Sequence, residues 1–145
     1  MGNICRSPLA EGIATRLVQE QRLNIRVDSA GTGDWHIGEA PCDNSIKVAK
    51  QHGIDISLLR ARQVSPEDFQ TFDLIIALDS SNYANLKRMG AKNLKKLGDF
   101  GFEGQDVPDP YFFPGFEGFE AVYAMIDKAI SQLILSISSQ TNNYY

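Results

Sequence analysis

Residues 74–78 form an unbroken apolar run, Leu-Ile-Ile-Ala-Leu, and this run constrains the fold more than any other stretch of the chain. Such a run suits a strand that is buried on both faces of a parallel sheet, because helices cover both faces of that kind of sheet. Strand-like segments at 24–27 and 94–97 lie before and after it, separated by helical patterns. Alternating strands and helices predict an α/β fold with a parallel sheet.

Five helices are predicted from apolar spacing and from start and stop signals. In the first, Ser7 is the expected cap and Pro8 the first helical residue, followed by an apolar stripe of Leu9, Ile13 and Leu17. The second spans about 43–52 and ends before Gly53. The Ser-Pro-Glu-Asp sequence at 65–68 is typical of a capping box that opens a short helix. The last two are expected at about 80–89 and 116–137.

Composition and charge limit the possible classes of protein. A length of 145 residues fits one domain spanning 1–145, with a polar end from about 139 that we expect to fray. The net charge of −4 argues against a general nucleic-acid or membrane-surface binder. No apolar stretch approaches the roughly 18 residues of a membrane helix, and no signal peptide is evident. We therefore expect a soluble, cytoplasmic protein.

The two cysteines, Cys5 and Cys42, are too few for a disulfide scaffold or for a cysteine-based zinc site. We expect no metal and no cofactor.

The heptapeptide Gly-Asn-Ile-Cys-Arg-Ser-Pro at residues 2–8 leads into the first helix. Backbone N–H groups remain unpaired at a helix start, and a glycine-containing loop can wrap them around a phosphate. The planar guanidinium of Arg6 matches phosphate oxygens in a bidentate manner. Ser7-Pro8 alone is explained equally well as a helix cap in a surface turn, whereas the whole heptapeptide favours a phosphate site.

The sequence Gly-Asn-Ile-Cys-Arg-Ser-Pro-Leu-Ala-Glu, residues 2–11, resembles the phosphate-binding loop and first helix of the low molecular weight protein tyrosine phosphatases. The resemblance continues, in family order, at residues 28–32, 61–63, 72–75, Asp79 with Asn82, and 107–111. One match would be weak, but the ordered set covers almost the whole chain and is specific. It implies a single-domain, three-layer α/β/α fold around a short parallel sheet, and hydrolysis of phosphotyrosine through a phosphocysteine.

The family's loop is Cys-x5-Arg, and six positions before Arg6 is the position preceding Met1. The nucleophilic cysteine is therefore not among these residues, and the first, central strand of the sheet is largely missing as well. Four or five buried aliphatic residues in that strand would contribute on the order of 10 kcal/mol, comparable with the net stability of a domain. We expect that Met1 is an internal methionine or a cut end, and that the chain folds poorly alone or fills the gap with another segment.

The resemblance implies roles for individual residues. Arg6 would bind the phosphoryl group and Asp109, held between Pro108 and Pro110, would act as general acid and then as base. The remaining loop positions would bind phosphate: Gly2, Asn3, Ile4, Cys5 and Ser7. Ser29 would support the loop, and Trp35, Tyr111 and Phe112 would form the walls of a deep aromatic slot. Arg62 and Asp79 would be structural.

The expected ligands are phosphotyrosine proteins or small aryl phosphates, together with inorganic phosphate, sulfate or vanadate. Neither nucleic acid nor membrane is expected as a partner.

Three alternatives remain. A protein-arginine phosphatase has the same scaffold but resembles this chain less at Ile4, where such relatives carry Thr. An arsenate reductase would need cysteines after Cys42, and the sequence has none. A pseudophosphatase would bind phosphate or phosphotyrosine without turnover, and Cys5, the second loop cysteine, is not expected to substitute for the nucleophile.

Overall fold

A computed structural model describes residues 5–33, 36–110 and 115–142. The order of elements is α1 (Arg6–Glu20), α2 (Asp43–Gln51), α3 (Asp68–Thr71), β1 (Ile75–Ala77), α4 (Ser80–Arg88), β2 (Leu94–Lys96), a 3-10 turn (Leu97–Asp99) and α5 (Glu117–Asn142). These elements confirm the predicted alternation of helices and strands, with most ends within two residues of the predicted ones.

The sheet of the described residues consists of β1 and β2, which pair in parallel with Ile75 opposite Leu94. Successive side chains of a strand point to opposite faces, and the two faces of β1 contact different cores. Ile76 and its neighbours Leu74 and Leu78 face the larger core, formed with α1, α2 and α5, whereas Ala77 faces a smaller core closed by α4. The sheet thus lies between two helical layers, as predicted for an α/β fold.

The first predicted strand, at 24–27, is not a strand in the structure. Leu23, Ile25 and Val27 alternate with exposed polar residues as a strand would. No backbone–backbone hydrogen bond joins residues 24–28 to another part of the described chain. A cavity of about 1140 Å³ lies between this segment and residues 74–78. The prediction was wrong because an extended segment becomes a strand only when a neighbouring strand pairs with it.

The same cavity explains why the apolar run 74–78 is less buried than expected. Ala77 and Leu78 are buried, but Leu74, Ile75 and Ile76 are only partly so. β1 pairs with β2 along one edge, and residues 74–78 line the cavity on the other side. The parallel strand is therefore confirmed, whereas burial of the whole run is not.

Two helix ends differ from the predicted ones. Helix α1 begins at Arg6 with Cys5 as its N-cap residue, so Ser7 lies in the first turn and is not the cap. Pro8 is tolerated there because a first-turn N–H has no intrahelical acceptor. Helix α5 continues to Asn142, beyond the predicted end at about residue 137, and the fraying expected from about residue 139 stays a prediction.

Helix α5 also corrects the expectation about membrane-length segments. Its residues Glu117–Ser138 contain an 18-residue window with a mean hydropathy of 1.2. By length and hydropathy alone, this segment is sufficient to cross a membrane. However, Phe119, Val122, Ile126 and Ile130 are buried in the larger core, where α5 packs against α1 and α2. The core helix of a globular domain has these same properties.

Candidate active site

The predicted site residues that the structure describes all line the same cavity. Cys5, Arg6, Ser7, Ser29 and Asp109 all line it. They belong to the start of α1, to the segment after residue 27 and to the loop between β2 and α5. The resemblance assigned these five residues to one site, and their roles in it remain predictions. The remaining predicted site residues lie outside the described ranges: Gly2, Asn3, Ile4, Trp35, Tyr111 and Phe112.

Arg6 is held by two contacts that reach far along the chain. Its Nη2 donates to Asp79 Oδ2 at 2.9 Å and its Nη1 donates to the carbonyl of Val107 at 2.6 Å. Only 12% of the Arg6 side chain and 18% of the Asp79 side chain are exposed, so the ion pair is largely buried. A guanidinium carries five N–H groups, and these two contacts leave others for an anion. Asp79, expected to be structural, therefore orients the predicted phosphate-binding side chain.

Asp79 has a second contact that follows from its position at the end of β1. As the N-cap of α4, it accepts a hydrogen bond from the backbone N–H of Asn82 at 2.7 Å. An aspartate is a favoured residue for this position. One carboxylate thus both starts α4 and holds Arg6.

Asp109 lies in a segment whose backbone is fixed on both sides. Val107 and Pro110 are buried, while Asp109 is partly exposed to the cavity. The Val107 N–H donates to the carbonyl of Leu78 at 2.8 Å, and its carbonyl accepts from Arg6. Pro108 and Pro110 further restrict the backbone because proline fixes its own φ angle. The arrangement presents a carboxyl group on the same cavity as the guanidinium.

Ser29 is positioned by a residue that sequence reasoning missed. Its Oγ donates to Glu11 Oε1 at 2.6 Å, and its N–H donates to Asp28 Oδ1 at 2.8 Å. Burial raises the pKa of Glu11, although the Ser29 hydrogen bond acts in the opposite direction. Glu11 comes one turn after Ser7 on α1, and that helical spacing was the available signal for a side chain facing the site.

Arg62 has the structural role that was expected of it. It forms ion pairs with Asp28 at 3.2 Å and with Asp68 at 3.0 Å. These two contacts connect the segment that precedes Ser29 to the start of α3. Burial alone would raise the pKa of Asp68, but hydrogen bonds from Arg62 and Ser65 hold it below its ordinary value. Within the described ranges, no cluster of three or more His, Cys, Asp or Glu side chains could hold a metal ion.

Cys5 and Cys42 form a disulfide, with a Cα–Cα distance of 5.2 Å. Two cysteines are too few for a disulfide scaffold, and this single bond was not predicted from the sequence. Both residues immediately precede helices, Cys5 before α1 and Cys42 before α2. The carbonyl of Cys5 also accepts from Oγ of Ser45, a fully buried residue of α2. Cys5 is therefore fixed against α2, and in this bonded form its sulfur is not a thiolate.

The chain as a whole is similar to one described family. A family model described as low molecular weight phosphotyrosine protein phosphatase matches residues 1–143. The low molecular weight protein-tyrosine-phosphatase YfkJ of Bacillus subtilis is 40% identical over 148 residues, covering 97% of this chain and 93% of the relative. The crystal structure of YfkJ superposes with a TM-score of 0.88 and covers 97% of this chain and 91% of its own.

Two other solved structures, of an arginine phosphatase and of a benzylphosphonate complex, are also similar to this chain. The crystal structure of DARP, a Drosophila arginine phosphatase, has a TM-score of 0.85 at 35% identity and covers 94% of this chain and 93% of that protein. Vibrio vulnificus Wzb in complex with benzylphosphonate has a TM-score of 0.81 at 28% identity and covers 90% of each chain.

Proposed function

Because this chain belongs to the low molecular weight protein tyrosine phosphatase family, a family of hydrolases, we propose that Arg6 and Asp109 are its phosphate-binding and proton-transferring residues. The observation that carries the proposal is the hydrogen bond from Arg6 to the carbonyl of Val107, two residues before Asp109, with Arg6 and Asp109 both lining one cavity. A cation that binds oxyanions and a carboxyl that serves the leaving group are two of the groups that phosphate-monoester cleavage uses, beside a nucleophile.

In the proposed reaction, Arg6 and the backbone N–H groups of the loop bind the equatorial oxygens of the phosphoryl group. These donors stabilise the charge that develops during transfer, and their fixed positions avoid a cost of reorganisation. In the first step the thiolate of the Cys-x5-Arg cysteine attacks phosphorus, so an S–P bond forms as the P–O bond to the phenolate breaks, and Asp109 gives a proton to that oxygen. In the second step Asp109 accepts a proton from water, which hydrolyses the phosphocysteine.

The nucleophile of the Cys-x5-Arg pattern falls at the position before Met1, so it is not one of the 145 residues. Cys5 is not its replacement, because its sulfur is bonded to Cys42 and its carbonyl is held by Ser45. We therefore expect the 145-residue chain to bind oxyanions without turning over an aryl phosphate. Near-normal turnover that is lost in Cys5→Ser would contradict this assignment.

The proposed substrate class is phosphotyrosine in proteins or in small aryl phosphates. Benzylphosphonate, the ligand bound by Wzb, has an aryl ring and a phosphoryl group and supports this class. The aromatic residues Tyr111, Phe112 and Trp35 are the proposed walls of the slot, which would hold the ring. The proposed simple ligands are phosphate, sulfate and vanadate. The proposed location of the protein is the cytoplasm.

Protein-arginine phosphatase is the second candidate, supported by the similarity to the Drosophila arginine phosphatase. The two activities differ in the leaving group, a phenolate in one and a guanidine in the other. Relative hydrolysis of a phosphotyrosine and a phosphoarginine peptide, measured on the chain extended to include the loop cysteine, distinguishes them. We expect the phosphotyrosine peptide to be preferred.

Oxyanion binding by the 145-residue chain tests the proposed site directly. Vanadate and phosphate affinities are measured by titration calorimetry for the wild type, for Arg6→Lys and for Arg60→Lys. Arg60 is an exposed arginine bonded to nearby carbonyls, which makes it the matched control. Lysine lacks the planar fork, so Arg6→Lys is expected to weaken binding by about tenfold or more while Arg60→Lys does not change it. Equal affinities in all three proteins would overturn the proposal.

A further inference from the structure

Three consecutive residues at the end of β1 each hold a different part of the site. The carbonyl of Leu78 accepts from the N–H of Val107, and Asp79 accepts from Arg6. Ser80 then donates to Asp106 Oδ1 from its backbone nitrogen at 3.0 Å and from its Oγ at 2.9 Å. The turn from β1 into α4 is thus in contact with both the segment that carries Asp109 and the guanidinium of Arg6.

Asp106 has a further partner on the neighbouring strand. Lys96, the last residue of β2, places its Nζ 2.6 Å from Asp106 Oδ1 and donates to Ser80 Oγ at 2.9 Å. The Lys96 side chain is 18% exposed and that of Asp106 is 45% exposed, so the ion pair lies at the surface with the lysine stem mostly covered. We call this closed set of contacts the clasp, and its members are Ser80, Lys96 and Asp106. Within the clasp, one carboxylate oxygen of Asp106 accepts hydrogen bonds from three donors.

The clasp lies directly before the proposed acid. Only Val107 and Pro108 separate Asp106 from Asp109, and Val107 is buried with both its backbone groups bonded. Pro108 has one backbone angle fixed by its ring. Little rotational freedom is left between Asp106 and Asp109, so a displacement of one is transmitted to the other.

We propose that Asp106, held by Ser80 and Lys96, is a positioning residue that fixes Asp109 relative to Arg6. This inference rests on the proposed function, in which Asp109 is the proton-transferring group. The clasp joins the acid segment to the same β1–α4 turn that orients Arg6, so one rigid element sets the spacing of both groups. Precise spacing of this kind contributes to catalysis because reacting groups must be held in a near-attack geometry.

The chain contains a matched control for Asp106. Asp55 accepts from the backbone nitrogen and the Oγ of Ser57 at 2.9 and 2.6 Å, through the same kind of contact, and does not line the cavity. Asp55→Ala and Asp106→Ala therefore remove similar hydrogen bonds, one of them remote from the site. Asp106→Asn keeps the accepting oxygen and removes the charge, which makes it the conservative variant.

The experiment records the carboxyl ¹³C resonance and the backbone amide exchange of Asp109 by NMR in the 145-residue chain. Asp106→Ala and Lys96→Met are expected to shift that resonance and to speed amide exchange at Asp109 by about tenfold, with partial recovery in Asp106→Asn. Asp55→Ala is expected to leave both signals at their wild-type values. If Asp106→Ala lowers stability as Asp55→Ala does and leaves both Asp109 signals unchanged, the positioning role is overturned.

Vanadate affinity separates this outcome from failure of the proposed function. Asp106→Ala is expected to keep the wild-type affinity within about twofold, because Arg6 retains its bond to Asp79. If Arg6→Lys leaves vanadate binding unchanged, the proposed function fails whatever Asp106 does. If Arg6→Lys weakens vanadate binding and the two Asp109 signals are unchanged in Asp106→Ala, only the positioning role fails.

Discussion

The guanidinium of Arg6 lies 2.9 Å from the carboxylate of Asp79, although 73 positions separate them in the sequence. Both side chains are largely buried, so each charge depends on the other for compensation. The pair joins the start of α1 to the start of α4 and directs a cation onto the cavity that Asp109 also lines.

Substitution of Asp79 separates its two contacts. Asp79→Ala leaves Arg6 buried without its counter-charge and removes the cap of α4, so a loss of about 3–5 kcal/mol is expected in the free energy of unfolding. The loss in Asp79→Asn should be about 1 kcal/mol smaller than in Asp79→Ala, because asparagine is also a favoured N-cap residue. Urea denaturation of the three proteins measures both values. Equal losses in the two variants would show that the cap contributes nothing.

Gly12 tests the close packing of α1. A Cβ at this position would lie 2.6 Å from Ile56 Cγ2 and 3.1 Å from Ile54 Cγ2. Alanine favours a helix by about 1 kcal/mol over glycine, but overpacking costs about 1–3 kcal/mol. We expect Gly12→Ala to lower stability by about 1 kcal/mol on balance. Combination with Ile56→Ala, which removes the Cγ2 that the new Cβ would meet, should make the two losses less than additive. Denaturation of the double variant beside the two single variants checks this.

Local patterns predicted most of the helices and both strands of the sheet. The apolar run at 74–78 contains β1, and Gly53 follows α2 with a φ of +79°, as expected of a glycine that ends a helix. These features depend on residues close in sequence. Residues 24–27 show the limit, since their alternation is correct for a strand but no strand within the described residues pairs with them.

The candidate site was predicted only where the resemblance supplied a role. It singled out Arg6, Ser29 and Asp109, which the structure places on one cavity. The contacts that hold them were not predicted, because Asp79, Glu11 and Val107 meet these residues only through the tertiary fold. A carboxylate on a helix or at a strand end is ordinary by itself, and its partner depends on how distant elements pack.

Reduction of the disulfide between Cys5 and Cys42 should destabilise the protein. The bond closes a loop of 37 positions, for which chain entropy gives about 3–4 kcal/mol. Thermal unfolding with and without dithiothreitol measures the effect. Cys42→Ser should unfold at the same temperature as the reduced wild type and should not respond to the reductant. An equal response in Cys42→Ser and the wild type would show that the reductant acts elsewhere.

Glu11 should make stability depend on pH in the direction opposite to most carboxylates. Burial raises its pKa in the folded state, so the folded protein holds this proton at pH values where the unfolded chain has lost it. Stability contributed by the protonated form is complete below the unfolded pKa and is lost as the pH rises through the folded pKa. Glu11→Gln keeps an oxygen that can accept from Ser29 Oγ and removes the titration.

The corresponding measurement is the free energy of unfolding in urea at a series of pH values upward from about 4, near the ordinary pKa of a glutamate. Relative to the wild type, Glu11→Gln is expected to gain stability as the pH rises through that window and to keep the gain at neutral pH. Glu20→Gln, an exposed position on the same helix, is the control and should run parallel to the wild type apart from its surface pair with Arg16. A constant difference between Glu11→Gln and the wild type at every pH would show that Glu11 does not titrate with a raised pKa.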